Sequence, residues 1–482
     1  MSQELANRHL HDWNDRVQLA EAALPIIGGL FRDRAVVVIM YGRPLIEKAP
    51  IDILREHRWV RQVEEGELSI HDTFPLLEEV SKMTLRPCRV DLGKLAVGWI
   101  RGGRSPDVAA FVRDRMSGCE ELPDRVIEKP QDIVLYGFGR IGRLLARLLI
   151  ERTGKGDALR LRAIVVRGGA DNELHKRASL LRRDSVHGRF AGSITIDEEN
   201  QALIANGHFI KVIYADSPDK VDYEAHGITN AIIIDNTGKW RDREGLGLHL
   251  AAKGASKVLL TAPGKGDIKN IVFGVNDESI GDDDAILSAA SCTTNAITPV
   301  LRALLDGFGI VGGHVETIHS YTNDQNLIDN YHKSTRRGRA AALNMVITET
   351  GAAKAVAKAI PELAGKLTGN AIRVPTPNVS LAILNLVLEK ETTAEDINEY
   401  LRDAALHSDL SLQIDYTAST EVSSTDLVGS RYAGVIDSAA TVVNGNRAVV
   451  YVWYDNEFGY SMQVVRVAQR MAGIRYVTLP GA

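Results

Sequence analysis

A cysteine at position 292 has the surroundings of an enzymatic nucleophile. It lies in the run Ser291-Cys-Thr-Thr-Asn295, and the apolar residues that follow from Asn295 onward predict a helix. The N-terminus of a helix presents unpaired N–H groups and a partial positive charge, which lower the pKa of a thiol from about 8.5. We therefore expect the thiolate of Cys292 to attack an electrophilic carbon.

A histidine at position 319 could serve this cysteine as a base. It lies in the stretch Thr317–Gln325, which changes from apolar to polar along its length. A thiol that attacks a carbonyl needs a base to take its proton and donors for the developing oxyanion. Together with the hydroxyl-rich residues around Cys292, His319 predicts covalent catalysis through a thioester.

Three glycines, Gly137, Gly139 and Gly142, predict a dinucleotide site. They follow an apolar strand predicted over 133–136 and open a helix predicted over 141–151. In that context the first glycine allows a tight turn, and the second admits a pyrophosphate close to the backbone. The third lets the helix pack against the strand. The N-terminus of the helix then faces the phosphates.

With its glycine turn, Cys292 and His319, the chain resembles phosphorylating glyceraldehyde-3-phosphate dehydrogenases from about Gln131 to its C-terminus. Erythrose-4-phosphate dehydrogenases are close relatives that share the phrases at 323–325 and 330–332. Erythrose 4-phosphate is therefore the alternative substrate. The phrase that begins at Thr350 favours the glyceraldehyde enzyme. Further phrases of the family are Thr350–Val356, Ile360–Gly369, Arg373–Thr376 and Trp453–Glu457.

The resemblance assigns roles to residues of this chain. Cys292 and His319 are catalytic, Asn456 holds the nicotinamide carboxamide, and Tyr460 supports the nicotinamide ring. Arg373 supplies a fork suited to the substrate phosphate, and we expect Asp324 to orient it. The cofactor site comprises Gly137, Gly139, Arg140, Ile141, Gly142, Arg167, Thr237, Gly238, Thr261, Asn456 and Tyr460, and the substrate and phosphate sites comprise Ser291, Thr293, Thr322, Asp324, Thr350, Gly351 and Arg373.

One departure from the family concerns the choice between NAD and NADP. A carboxylate usually ends the second strand and holds the adenosine ribose, but here that strand ends Val165-Val166-Arg167-Gly168-Gly169. Arg167 could receive a 2′-phosphate, and no carboxylate there would repel it. Ile347 also stands where the family often has a proline that crowds this phosphate. We expect the protein to use NADP, with NAD as a second cofactor. The alternative is that Asp171 contacts the adenosine ribose, which would favour NAD.

Composition limits the other classes of function. The 482 residues are 45% hydrophobic and 25% charged with a net charge of -5, as in globular proteins that bind neither nucleic acid nor an anionic membrane. Cys88, Cys119 and Cys292 lack metal-ligand spacing, which indicates no metal site and a reducing compartment. The N-terminus is polar and no apolar run reaches the ~18 residues that span a bilayer, so we expect a cytoplasmic protein.

The chain divides into segments of different pattern. We predict an α/β protein with a Rossmann-type doubly wound parallel sheet, an α+β catalytic domain with a mixed or antiparallel sheet, and a helical N-terminal extension. The extension carries no chemical motif, so a dehydrogenase-like scaffold that binds a partner through it is the alternative to an enzyme. The family implies a homotetramer. The predicted segments are 1–127 (extension), 128–291 (dinucleotide-binding), 292–457 (catalytic) and 458–482 (a C-terminal helix that returns to the dinucleotide-binding domain).

Overall fold

The computed structural model describes residues 3–64, 66–156, 158–168 and 172–481. The chain forms two compact units. Met1–Lys129, Gly154–Ala158 and Ile474–Ala482 make the first unit, and Pro130–Thr153 and Leu159–Gly473 make the second. Within the described ranges no helix is both long and apolar enough to cross a membrane.

The first unit combines helices with a small sheet. Its helical character was predicted, but the sheet was not, because its strands are at most four residues long. The described sheet has the order β19-β3-β1-β2, in which β19, β3 and β1 are parallel. The elements are α1 (Gln3–Arg34), β1 (Val37–Met40), β2 (Arg43–Pro44), α2 (Pro50–Trp59), α3 (Ile70–Lys82), β3 (Arg89–Asp91), α4 (Leu92–Arg101), α5 (Val108–Arg115) and β19 (Thr478–Leu479).

Two segments that are distant in sequence complete the first unit. The last strand pairs with β3, opposing Thr478 to Arg89, and the backbone N–H of Arg89 donates to the carbonyl of Val477 at 2.8 Å. The ring of Phe31 lies 3.5 Å from the point where a Cβ on Gly154 would be. The first unit therefore depends on residues from the middle and the end of the chain.

We predict that a chain beginning at Pro130 is less stable than the full protein. Without β3 and α1, the segments 154–158 and 474–482 lose their partners and expose apolar surface, which should lower the thermal midpoint by about 5 °C. Differential scanning calorimetry measures the shift. A chain beginning at Asp15 is the matched control, because residues 3–14 of α1 are exposed throughout. Equal midpoints for the chain from Pro130 and the full protein would contradict the prediction.

The part of the second unit that is predicted to bind a dinucleotide is a doubly wound sheet. Its described strands have the order β11-β10-β9-β4-β5-β8-β7-β6, parallel except for β7 and β6 at one edge. All five residues of the central strand β9 are buried, as expected for a sheet covered on both faces. The elements are β4 (Gln131–Tyr136), α6 (Arg140–Glu151), β5 (Leu159–Val166), α7 (Glu173–Arg182), β6 (Ile194–Asp197), β7 (Ala202–Ala205), β8 (His208–Tyr214), β9 (Ala231–Asp235), α8 (Arg243–Leu250), β10 (Ala255–Leu260) and β11 (Ile286–Ser288).

The part of the second unit that is predicted to be catalytic is a mixed sheet covered by helices. The order of its described strands is β13-β14-β12-β15-β18-β17-β16, so the predicted fold class is confirmed. The last helix, α12, packs against α6 of the dinucleotide part. The elements are α9 (Cys292–Phe308), β12 (Ile310–Ser320), β13 (Val346–Glu349), α10 (Ala352–Ala359), β14 (Leu367–Val374), β15 (Ser380–Leu388), α11 (Ala394–His407), β16 (Ile414–Thr417), β17 (Gly434–Asn444), β18 (Arg447–Tyr454) and α12 (Phe458–Met471).

Candidate active site

Cys292 is the first residue of helix α9, which begins three residues before the start predicted at Asn295. The hydroxyl of Ser291 caps this helix by accepting a hydrogen bond from the backbone N–H of Thr294 at 3.1 Å. Ala290, just before the cap, has a left-handed backbone with φ +55°. Non-glycine residues in that region concentrate at functional sites, because the surrounding structure must hold them there.

The structure brings His319 to Cys292. His319 lies near the end of strand β12, and its Nε2 is 3.4 Å from Sγ of Cys292. Its other ring nitrogen, Nδ1, is 2.7 Å from the carbonyl oxygen of Ser320 and 2.9 Å from Nη1 of Arg373. The register of the parallel strands β12 and β14 explains the last contact, because it pairs His319 with Arg373.

The protonation of this pair differs from the sequence-based expectation, which was wrong about the thiol. Burial of the sulfur raises the pKa of Cys292, although Arg373 and hydrogen bonds from Thr293 act in the opposite direction. Burial, followed by the charge of Arg373, lowers the pKa of His319 to about 3. Burial therefore favours the neutral form of each group and opposes the effect of the helix N-terminus on the thiol.

Tyr454 belongs to this site, although the sequence analysis did not assign it a role. Its hydroxyl contacts Oγ1 of Thr317 at 2.6 Å and Oγ1 of Thr293 at 3.0 Å. Its ring meets the ring of His319 edge to face, with centroids 6.0 Å apart. Tyr454 thus ties the start of α9 to β12. The family phrase Trp453–Glu457 contains Tyr454, but only the fold shows what its hydroxyl contacts.

The neighbours of Arg373 also differ from expectation. Asp324 forms an ion pair with Arg337 instead of orienting Arg373. Among the described residues, Nε of Arg373 is buried without a hydrogen-bond partner. Arg373 therefore keeps hydrogen-bonding capacity beside His319, as an anion-binding arginine requires.

The other predicted anion-binding residues lie at turns and helix starts. Gly351 caps helix α10, and Oγ1 of Thr350 accepts a hydrogen bond from the N–H of Ala352 at 3.2 Å. The carbonyl of Thr322 accepts from the N–H of Gln325 at 2.9 Å, which closes a turn after β12. Thr293 is buried in the first turn of α9.

The glycine turn has the geometry of a phosphate cradle. Gly137 has φ +92°, and a Cβ on Gly142 would lie 2.4 Å from the carbonyl oxygen of Gly137. A Cβ on Gly139 would meet nothing within 4 Å, so the space in front of this residue is open. The turn lies where the sheet order reverses around β4, which is where such folds bind dinucleotides. The residues present fit a dinucleotide.

A buried carboxylate positions the next cofactor segment. Oδ1 of Asp235 accepts hydrogen bonds from the N–H and the hydroxyl of Thr237, each at 2.7 Å. Its other oxygen lies 3.1 Å from Nε2 of His249. Thr261 donates through its hydroxyl to the carbonyl of Asp235 at 3.0 Å. Asp235 thereby fixes the Thr237–Gly238 turn.

Arg140 is held within the protein. Its Nε donates to Glu457 at 2.6 Å, and its Nη1 donates to Asp184 at 2.6 Å. Because Glu457 is adjacent to Asn456, Arg140 ties the start of α6 to the segment predicted to hold the carboxamide. Its guanidinium thus connects two segments that are predicted to bind the cofactor. Ile141, the next residue, is half-buried.

Asn456 and Tyr460 lie around the first turn of α12. Oδ1 of the buried Asn456 accepts a hydrogen bond from the hydroxyl of Ser380 at 2.9 Å. The hydroxyl of Tyr460 donates to the carbonyl of Ala290 at 3.0 Å. Tyr460 therefore links α12 to the residue two places before Cys292.

Arg167 is exposed after the end of β5, and its carbonyl accepts a hydrogen bond from Nη2 of Arg177 at 3.4 Å. Asp171, the other candidate for the ribose contact, lies outside the described residues. Ile347 is exposed on β13.

Comparison with known proteins identifies the family. Residues 131–243 match the NAD binding domain of glyceraldehyde 3-phosphate dehydrogenase, and residues 291–456 match the C-terminal domain of that enzyme. The chain belongs to the glyceraldehyde-3-phosphate dehydrogenase family. The predicted resemblance is confirmed, and the cofactor of this family member is NAD or NADP.

Relatives of this family member differ in how much of the chain they share. A glyceraldehyde-3-phosphate dehydrogenase of Zymomonas mobilis is 42% identical over 70% of this chain and 98% of its own length. The chloroplastic enzyme GAPA1 of Arabidopsis thaliana is 43% identical over 76% of the chain and 89% of its own length.

A glyceraldehyde-3-phosphate dehydrogenase-like protein of Pseudomonas aeruginosa is 61% identical over 95% of the chain and 100% of its own length. Because this match covers 95% of the 482 residues, only about 24 residues lie outside the matched region. The matched region must therefore include most of residues 1–129. The N-terminal extension is therefore shared with another protein of the family.

Proposed function

We propose that this protein is a phosphorylating glyceraldehyde-3-phosphate dehydrogenase. It would convert glyceraldehyde 3-phosphate and inorganic phosphate to 1,3-bisphosphoglycerate, or run the reverse reaction, with NAD(P) and a thioester on Cys292. The observation that carries the proposal is the 3.4 Å approach of Sγ of Cys292 to Nε2 of His319, at the start of a helix and beside Arg373. These groups are what acyl transfer through a thiol requires.

The first step forms a carbon–sulfur bond. The thiol proton of Cys292 moves to Nε2 of His319, and the thiolate attacks the aldehyde carbon to give a thiohemiacetal. The Nε2–H of His319 and the backbone N–H of Cys292 donate to the new oxyanion. A neutral imidazole suits this role, because an imidazole that is already protonated cannot accept the thiol proton.

The second step transfers the acyl group. Asn456 and Tyr460 would hold the nicotinamide, which would supply the hydride acceptor when bound, so that loss of hydride from the thiohemiacetal would leave a thioester on Cys292. Inorganic phosphate then attacks the thioester carbonyl, the C–S bond breaks, and the thiolate leaves as acyl phosphate forms. Arg373 and Thr322 would hold the substrate phosphate, whereas Thr293, Thr350 and Gly351 would hold the attacking phosphate, as the family resemblance implies.

The proposal also includes a cofactor preference. The exposed cation of Arg167 after β5 supports the use of NADP, because it can pair with a 2′-phosphate. NADP would favour the reducing direction, as in gluconeogenesis, over the oxidising direction of glycolysis.

A kinetic comparison tests the function. The full chain is assayed with NAD or NADP, with glyceraldehyde 3-phosphate or erythrose 4-phosphate, and with or without inorganic phosphate. We expect oxidation of glyceraldehyde 3-phosphate that requires inorganic phosphate, with kcat/KM for NADP at least equal to that for NAD. A strong preference for the four-carbon sugar would replace the proposed substrate. A tenfold preference for NAD would remove the role of Arg167, and no turnover would favour a scaffold.

We also propose a homotetramer. The segment 327–347 exposes apolar side chains close together in sequence, and such surface is usually covered in an assembly. Sedimentation of the full chain should give four times the monomer mass, whereas a monomer at micromolar concentration would contradict the assembly. The exposed apolar residues are Leu327, Ile328, Tyr331, Leu343, Met345 and Ile347.

A further inference from the structure

His187 is a buried histidine to which the proposed mechanism assigns no role. It lies in the loop between α7 and β6, and only 3% of its side chain is exposed. Its Nε2 lies 3.0 Å from Oδ2 of Asp455, and its Nδ1 lies 3.2 Å from Nη2 of Arg140. His187 thus joins the start of α6 to the segment 455–457, which contains Asn456.

One imidazole ring satisfies both of these contacts. An ionised carboxylate has only acceptors, so Nε2 of His187 donates to Asp455. A guanidinium has only donors, so Nδ1 of the same ring accepts from Arg140. Burial raises the pKa of Asp455, but the hydrogen bonds from His187, the N–H of Gly429 and the amide of Asn378 outweigh it and lower this pKa. Asp455 therefore remains a carboxylate although its side chain is fully buried.

The carboxylate of Asp455 fixes the turn that contains Asn456. Its Oδ1 accepts hydrogen bonds from the backbone N–H groups of Glu457 at 3.0 Å and Phe458 at 2.8 Å. Its other oxygen accepts from the imidazole and, at 2.8 Å, from the N–H of Gly429. Because Asn456 lies inside this set of hydrogen bonds, its position depends on where the carboxylate is held.

The side chain of Asn456 has its acceptor occupied and its donor directed elsewhere. Its Oδ1 accepts a hydrogen bond from the hydroxyl of Ser380 at 2.9 Å, which leaves the NH2 group of the amide as the donor. The family resemblance gives this side chain the nicotinamide carboxamide to hold. Hydrogen bonds weaken steeply as their geometry departs from the ideal, so a small displacement of the turn would weaken this contact.

The start of α6, beside the glycine turn, does not depend on His187 in the same way. Nη1 and Nη2 of Arg140 donate to the two carboxylate oxygens of Asp184 at 2.6 and 3.0 Å. Its Nε donates to Glu457 at 2.6 Å. Loss of the imidazole would leave these hydrogen bonds in place. The segment that faces the pyrophosphate should therefore keep its position.

We propose that His187 is a positioning residue for the nicotinamide half of the cofactor, and that it acts through Asp455 on Asn456. The inference rests on the proposed function in one respect, which is the role of Asn456 as the partner of the carboxamide. The hydrogen-bond donor at position 187 is what this role requires. The ring also stacks on Phe458, with centroids 5.5 Å apart and an interplanar angle of 27°, so the experiment separates donation from stacking.

Two ligands that differ only at the nicotinamide test the inference. Isothermal titration calorimetry of the full chain measures Kd for NAD and for ADP-ribose, in which a hydroxyl replaces the nicotinamide. If NADP binds more tightly, NADP and 2′-phospho-ADP-ribose are the matched pair. His187→Phe keeps an aromatic ring but has no donor. We expect it to raise Kd for the dinucleotide about tenfold and to change Kd for the ligand without nicotinamide by less than about twofold.

A conservative variant and a matched control accompany this measurement. His187→Gln keeps a donor and should hold both Kd values within about threefold of the wild type. His175→Phe is the control, because His175 lies on α7 and contacts Glu198 at 2.6 Å, but its side chain is 53% exposed. The control should leave both Kd values within about twofold. If His187→Phe fails to fold, Asp455→Asn removes the charged acceptor and should give the same selective loss.

A double-mutant cycle tests whether His187 acts through Asn456. Asn456→Ala should weaken the dinucleotide by itself. When His187→Phe is added to Asn456→Ala, Kd should rise by less than about twofold further, because the contact that His187 positions is already absent. A purely structural role for His187 would instead weaken binding by the same factor in both backgrounds.

The inference and the proposed function fail in different ways. Equal changes in Kd for both ligands, no change for either, or independent effects in the double-mutant cycle would overturn the positioning role. A His187→Gln variant as weak as His187→Phe would do the same. If the expected binding pattern is found but no sugar gives phosphate-dependent turnover, the proposed function fails and the role of His187 in cofactor binding stands.

Discussion

Replacement of Cys292 by serine should reduce kcat by about 10³-fold or more. A hydroxyl has a much higher pKa than a thiol, so an imidazole 3.4 Å away should activate a serine at this position far less than it activates Cys292. A serine ester would also be a poorer acyl donor to phosphate than a thioester. Steady-state rates with saturating aldehyde, cofactor and phosphate measure the loss.

The matched control is Cys119→Ala, in the first unit. Cys119 is buried, and burial raises the pKa of its thiol, so it should neither react rapidly nor contribute to turnover. The control should keep kcat within about twofold and should still be alkylated at Cys292. Turnover that survives Cys292→Ser, or depends on Cys119, would refute the thiol mechanism.

Replacement of His319 by asparagine should lower kcat by roughly 10²- to 10⁴-fold, because the thiol loses its base and the oxyanion loses a donor. The loss should be larger in kcat than in KM, since His319 acts on the reacting atoms and not on the substrate phosphate. Steady-state kinetics of the variant give both parameters. A change confined to KM would assign His319 to binding.

The same variant should change how stability depends on pH. The folded protein holds the pKa of His319 at about 3, whereas the unfolded chain has the ordinary value near 6.5. Below pH 6.5 the unfolded state binds the proton more strongly, so wild-type stability is fully present above that pH. It falls as pH decreases toward 3, by at most about 1.4 kcal/mol per pH unit from this one group.

His319→Asn removes that dependence while leaving other titrating groups in place. The free energy of unfolding should therefore decrease less in the variant than in the wild type between pH 7 and pH 5, which urea titrations at both values measure. His57→Asn is a control in the first unit. Burial also lowers the pKa of His57, but this histidine lies outside the second unit, so its replacement should leave kcat unchanged. Parallel stability curves for wild type and His319→Asn would contradict a neutral, buried imidazole.

Two segments of the first unit follow, along the chain, the two helices of the candidate cofactor site. The segment 154–158 directly follows α6 and residue 153, and the segment 474–482 follows α12. Helix α6 starts at the glycine turn, and α12 starts beside Asn456.

The sequence by itself determined the family of this protein and the class of its fold. Cys292 at a helix start and the glycine turn after a strand are local patterns, because a helix N-terminus and a tight turn are each specified by a few adjacent residues. His319 and Arg373 could be named from their phrases, and the alternation of apolar strands with helices predicted the doubly wound sheet that the structure contains.

Only the tertiary structure decided the protonation and the partners of those residues. The pKa values of Cys292 and His319 depend on burial by distant segments, and that burial outweighs the helix N-terminus. Arg140 pairs with Glu457, 317 positions away, and the last strand of the chain joins β3. Such contacts depend on how segments far apart in the chain are brought together, so no short stretch of sequence specifies them.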